Sequence, residues 1–109
     1  SGRVNAVEEI IAHFAGLGRR ARRLRVSHAF HSPLLDPMLE EFAAVAREVS
    51  YRAPHIPVVS DVTGETAADG LLEDPGYWVR HAREAVRFAD QLTHLEKEGV
   101  TAYIEVGPD

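Results

Sequence analysis

Three times along this chain an apolar stripe at helical spacing gives way to a short run of strand-like residues. Val7, Ile10, Ile11, Phe14 and Leu17 recur at three- and four-residue intervals and define one apolar face. Asn5 and Glu8 have the spacing of a capping box, and Gly16 and Gly18 supply a stop. The pattern predicts a helix over 6–17. Leu24 and Val26 then alternate with Arg23 and Arg25, a half-exposed strand pattern.

The second pair is a helix from Leu34 to Val49 and a strand at Ile56–Ser60. Ser32-Pro33 or Asp36-Pro37 can open that helix, each placing a capping side chain before a proline at the first helical position. Met38, Leu39, Phe42, Val45, Ala46 and Val49 form its apolar stripe. Pro57 lacks an N–H, which places it at the start or edge of its strand. Residues 61–74, with Gly64 and Gly70, read as a loop with one helical turn, and Pro75-Gly76 as a turn before the Tyr77-Trp78-Val79 anchor. The third pair is the stripe Val86, Ala89, Leu92 and Leu95, stopped by Gly99, and the alternating run Thr101–Val106. Helix, strand, helix, strand, helix, strand argues for an α/β layer fold.

Composition narrows the function. A net charge of −5 speaks against a nucleic-acid surface, which must be basic. No apolar run approaches the roughly 20 residues that span a bilayer, and the N-terminus has no secretory h-region. Without cysteine there is neither a disulfide framework nor thiolate chemistry. The expectation is a cytoplasmic protein with no nucleic-acid or membrane partner.

Chemistry concentrates in Ser27-His28-Ala29-Phe30-His31-Ser32-Pro33, between a strand pattern and a helix pattern. An imidazole held there suits proton transfer. Three readings stand beside one another. His28 and His31 are structural loop histidines; or they begin a metal site, which needs a third ligand such as His55, His81 or an acid; or one of them is a general base. No serine lies in a Gly-x-Ser-x-Gly elbow, so the base reading lacks a nucleophile within the chain. The basic run Arg19, Arg20, Arg22, Arg23 and Arg25 is either a solvated strand face or a contact for an acidic or phosphate-bearing partner.

Several segments in order, Val26-Ser27-His28-Ala29-Phe30-His31-Ser32-Pro33, Pro37–Phe42, Ile56–Ser60, Tyr77–His81, Ala85–Phe88 and Glu105-Val106-Gly107-Pro108, resemble the acyltransferase domain of modular type I polyketide synthases. The resemblance implies an α/β-hydrolase-like large subdomain carrying a ferredoxin-like small subdomain. It implies that residues 1–26 are the end of the small subdomain and 27–109 the C-terminal part of the large one. The family's serine takes an acyl group from malonyl-CoA as an ester and passes it to the phosphopantetheine thiol of an acyl carrier protein. Its Gly-His-Ser-x-Gly motif, the arginine for the malonyl carboxylate and the glutamine of the oxyanion hole are absent from this sequence. The N-terminal part of the same domain and a neighbouring ketosynthase are therefore implied partners, and the chain alone is expected to be inactive. No cofactor and no metal are implied for the chain itself.

By the same resemblance His31 is the general base, its inner ring nitrogen held by the backbone carbonyl of Glu84. His28, Ala29, Phe30 and His31 match the selectivity motif that goes with malonyl extenders. Phe30 fills the space an α-methyl would occupy, a bias worth only about 1–3 kcal/mol, so methylmalonyl or relaxed selectivity stays open. Trp78, Arg80 and His81 are expected as structural anchors near the cleft floor. Arg22 and Arg23 are the expected docking residues for an acidic carrier. The competing expectation is a non-catalytic remnant or interaction module of such a synthase. In either case the chain is expected to meet a companion fragment or to be extended and loosely packed.

Overall fold

The computed structural model describes residues 1–24 and 26–107. Four α-helices are present: α1, Val4–Gly16; α2, Leu39–Glu48; α3, Pro75–Arg83; and α4, Phe88–Lys97. Short 3-10 segments at Pro33–Met38 and Leu71–Glu73 precede α2 and α3.

The glycine stops work as the sequence suggests. Gly18, at φ +70°, follows α1, with its N–H on the Ala15 carbonyl and the Arg19 N–H on the Phe14 carbonyl. Gly99, at φ +83°, closes α4 the same way, through Glu96 and Leu95. Both pairs satisfy carbonyls that a helix end leaves open.

The N-termini differ in part. α1 begins two residues before the expected start, with Arg3 at the N-cap and no capping side chain, so Asn5 and Glu8 form no capping box. Ser32 does cap Pro33–Met38, accepting from the Leu34 N–H at 3.3 Å. Pro37 lies inside that 3-10 segment, and α2 starts only after it. Pro75-Gly76 is not a turn but the first turn of α3: Asp74 accepts the Gly76 N–H at 2.8 Å, and the proline needs no partner at N1.

The larger correction concerns the strands. Residues 56–60 and 101–106 form no ladder, and neither do the described residues of 23–26; Arg25 lies outside the described residues. Among the described residues the only β pairing is one antiparallel bridge, Val59 with Thr66. A strand exists only when a neighbour takes its N–H and C=O groups, and these extended segments do not meet one another. Their apolar side chains stay in water: Ile104 is 88% and Val106 93% exposed.

The buried centre is accordingly small. Leu35, Ala46 and Tyr77 join where the 3-10 turn, α2 and α3 meet. Tyr51 stacks on Trp78, with ring centres 6.2 Å apart, and Trp78 donates to the Leu72 carbonyl at 3.0 Å. The radius of gyration is 16.5 Å, against about 13 Å for a compact domain of this length. The accessible surface is 9145 Å², against about 6,000 Å² for a compact monomer of this mass. The chain is extended and loosely packed, one of the two states expected of it.

Loop 58–67 is better fixed than its composition suggests. Ser60, 1% exposed, bonds the Tyr77 hydroxyl at 3.0 Å and accepts from the Val62 and Thr63 N–H groups. Gly64 sits at φ +77°, and a Cβ there would lie 2.6 Å from the Asp90 Cβ of α4. His94 of α4 accepts the Thr66 N–H at 3.2 Å through Nε2. These contacts set the loop, with Asp61 at its start, against α3 and α4.

Candidate active site around His31

His31 is the one non-glycine residue at positive φ among the described residues, at +58°. Such a conformation brings Cβ close to a backbone carbonyl and persists only where the surroundings impose it. Here α3 imposes it. The His31 N–H donates to the Ala82 carbonyl at 3.0 Å, and the ring Nδ1 lies 2.9 Å from the Glu84 carbonyl. Helix ends leave their last carbonyls without intrahelical partners, and these two are used to hold one histidine. The next residue completes the frame: Ser32 Oγ donates to the Ala29 carbonyl at 2.6 Å.

The chemistry follows from the acceptor. A carbonyl cannot donate, so Nδ1 carries the proton and Nε2 keeps its lone pair. The negative end of α3 also favours positive charge on that ring. His31 is half-buried, so it remains reachable.

Beside His31 lies His81 of α3, ring centres 5.6 Å apart and nearly perpendicular. His81 Nε2 reaches Asp61 Oδ2 at 2.8 Å, and the Gln91 amide donates to Asp61 Oδ1 at 2.5 Å. The Arg87 N–H donates to the Asp61 backbone carbonyl at 2.9 Å. Burial by itself would raise the Asp61 carboxyl, but the hydrogen bonds from His81 and Gln91 outweigh it. With the positive charge of His81 and His31, they hold the group below its ordinary value.

A groove of about 490 Å³ runs between α1 and residues 22–24 and 26–31. Its lining includes Arg22, Arg23, His28, Ala29, Phe30 and His31, so the residues expected to set selectivity, the expected base and the basic pair share one surface. Phe30 is 47% exposed and meets the His28 ring edge-on, centres 6.3 Å apart. His28 turns to the Ser27 hydroxyl at 3.0 Å. The metal reading of the His28–His31 pair finds no third ligand: no three His, Asp or Glu side chains converge among the described residues. Arg23 pairs with Glu8 of α1 at 3.1 Å, both side chains more than half exposed. Such a pair is worth under about 1 kcal/mol, and a stronger acidic partner can displace it.

Asp61 and Gln91 were not legible as site residues; the first sat in what read as an acidic loop. The signal available was an acid directly after a β-branched run. That is where α/β folds set their functional groups, at the carboxyl end of a strand. His81, expected as an anchor near the cleft floor, bonds Asp61 and sets its ring beside that of His31.

This constellation matches one known class of protein. The acyl transferase domain family matches residues 1–109, and the chain belongs to it. More particularly, its relatives are polyketide synthases. It is 59% identical over 108 residues to the polyketide synthase GfsA of Streptomyces halstedii, covering 99% of this chain and 1% of that protein. It is 57% identical over 109 residues to the phenolphthiocerol synthesis polyketide synthase type I Pks15/1 of Mycobacterium marinum, covering 99% and 5%. The acyltransferase domain from the second module of the salinomycin polyketide synthase superposes with a TM-score of 0.79 at 55% identity, over 99% of this chain and 25% of that one. The MCAT of Streptococcus pneumoniae superposes at 0.73 and 26% identity, over 99% and 35%. The chain thus spans a small share of these synthases and about a quarter to a third of the solved domains. Among the described residues no helix is long and apolar enough to cross a membrane.

Proposed function

We propose that these residues form the general-base side of a polyketide synthase acyltransferase site. In this reading His31 Nε2 takes the proton from a serine hydroxyl lying outside the 109 residues as that oxygen attacks the thioester of malonyl-CoA. His31 returns that proton to the coenzyme A sulfur, which leaves as the thiol, and an acyl-serine ester forms. In the second half, Nε2 takes the proton of the phosphopantetheine thiol on an acyl carrier protein. The thiolate attacks the ester, and the serine oxygen recovers its proton from His31. Residues 27–109 then belong to the large subdomain and 1–26 to the small one, with Arg22 and Arg23 at the carrier's approach.

The observation that carries this reading is the hold on His31: a left-handed backbone and an Nδ1–H given to the Glu84 carbonyl at 2.9 Å. A merely structural histidine needs neither. Phe30 in the same groove supports malonyl over larger extenders, by the volume it takes up. Its 47% exposure favours a second, more permissive reading in which the ring swings aside for a substituted malonyl.

The test is His31→Ala in the complete acyltransferase domain bearing this chain. Single-turnover acyl-enzyme formation from malonyl-CoA should fall by about 10²–10⁴-fold. Acylation at the unaltered rate would remove His31 from the mechanism.

A further inference from the structure

We propose that Asp61, clamped by His81 and Gln91, is a remote counterion for His31, stabilising the imidazolium that forms when His31 takes a proton. The inference rests on the reading of His31 as the base, and Asp61 is a positioning residue that touches no reacting atom.

The need for it is plain in the contacts. The Glu84 carbonyl orients His31 but carries no full charge. Among the described residues no carboxylate forms an ion pair with His31. The Asp61 carboxylate is reached from His31 through the His81 ring, 5.6 Å away centre to centre, whose Nε2 is on Asp61. Both carboxylate oxygens of Asp61 are taken, by His81 and by Gln91, which fixes the orientation of a side chain that is still 38% exposed. An ionised carboxylate only accepts, so His81 Nε2 carries a proton. The low carboxyl of Asp61 agrees, since part of its lowering comes from His31.

The other charged groups near this face are accounted for. On α3 and just after it, Arg83 pairs with Asp36 of the 3-10 turn, while Arg80 and the Glu84 side chain are exposed. At α4, Arg87 pairs with Asp90, and His94 is bonded to Thr66. Across the groove stand Arg22, Arg23 and His28, with Arg23 on Glu8. The mobile cations oppose a charged His31, and the opposing anions Asp36, Asp90 and Glu8 are each spent on an arginine. Asp61 alone is spent on imidazole.

The sign is fixed by charge. An anion raises the pH at which His31 loses its proton, so removing it lowers that pH. The experiment is an NMR titration of the histidine-labelled acyltransferase domain bearing this chain, with the His31 signal identified by its loss in His31→Ala. Asp61→Asn should lower the His31 midpoint by about half a pH unit, less than a direct ion pair gives because a ring intervenes and the group is partly exposed. His81→Gln keeps a donor on Asp61 and removes a neighbouring cation, so it should not lower the midpoint; adding Asp61→Asn to it should bring the midpoint down again. Asp61→Ser gives the same readout should the asparagine variant not fold. A His31 midpoint that does not move overturns the inference, even if Asp61→Asn lowers stability, for that is the mark of a clamp alone. A midpoint that moves while the acid limb of the acylation rate stays put leaves the counterion standing and counts against His31 as the base.

Discussion

Replacing His31 by glycine and by alanine separates what its backbone costs from what its ring does. At φ +58° an L-residue is held where its Cβ crowds a carbonyl, a penalty of roughly 1–2 kcal/mol. Glycine escapes that penalty but loses more freedom on folding, about 0.4–1 kcal/mol. The difference favours His31→Gly over His31→Ala by about 0.5–1 kcal/mol. Both variants lose the Nδ1–Glu84 hydrogen bond, worth about 1 kcal/mol, so that loss cancels between them. The glycine variant should then be about as stable as the parent and the alanine variant about 1 kcal/mol weaker. Neither carries an imidazole, so both should lose acylation to the same depth. Urea unfolding of the complete acyltransferase domain measures the first quantity, from the midpoints at unchanged slope. Single-turnover acylation measures the second. An alanine variant as stable as the glycine one would refute the claim that the backbone is held against its preference. A glycine variant that still acylates would refute the role of the ring.

Three further outcomes are expected. Phe30→Ser should shift the ratio of methylmalonyl to malonyl loading upward by about 10-fold or more in competition assays, the scale of a methyl-sized pocket; an unmoved ratio makes Phe30 packing only. Reversing Arg22 and Arg23 to glutamate should raise the Michaelis constant for the acyl carrier protein several-fold, leave self-acylation unchanged, and lose its effect at high salt as exposed charges are screened; unaltered carrier kinetics reject docking there. Gly64→Ala should destabilise by about 2–4 kcal/mol, since left-handed strain adds to a close approach on α4; thermal unfolding with a loss under about 1 kcal/mol would mean that loop and helix part easily.

The helices were legible and the strands were not, for one physical reason. A helix satisfies its backbone from its own sequence, so the stripe from Val7 to Leu17 and the glycines at 18 and 99 were enough to place α1 and the end of α4. Helix starts were less legible, because Asn5 has the chemistry of a cap and Arg3 has the position. A strand is half of a pair. Thr101–Val106 has the alternation of a strand, and alternation says which side chains seek cover, not whether a neighbour exists to give it. The site divides the same way. The bond between His31 and Glu84 joins residues 53 apart and follows from no spacing rule; likeness to a family pointed to it. Asp61 has no family motif to announce it, and an acid in a glycine-bearing loop reads as a solvated one.

The site nonetheless holds its geometry in a chain without a sheet, because its framework is made of helix ends and caps. The last carbonyls of α3 fix the backbone and ring of His31; Ser32 locks the turn after it; Ser60 ties loop 58–67 to Tyr77 in the same helix. Through that loop Asp61 meets His81, which directly precedes Ala82, one of the two residues whose carbonyls hold His31. One short helix therefore presents one acceptor to the backbone of His31, one to its ring and, on the same end, a second ring tied to an anion. On the proposed reading, the nitrogen that takes the proton and the anion behind it are both tied to α3. The extended segment at 101–106 has no strand partner among the described residues, and its Ile104 and Val106 stay exposed. Disturbing α3 should therefore disturb the base, whereas trimming Ile104 or Val106 to a polar residue should leave the hold on His31 as it is.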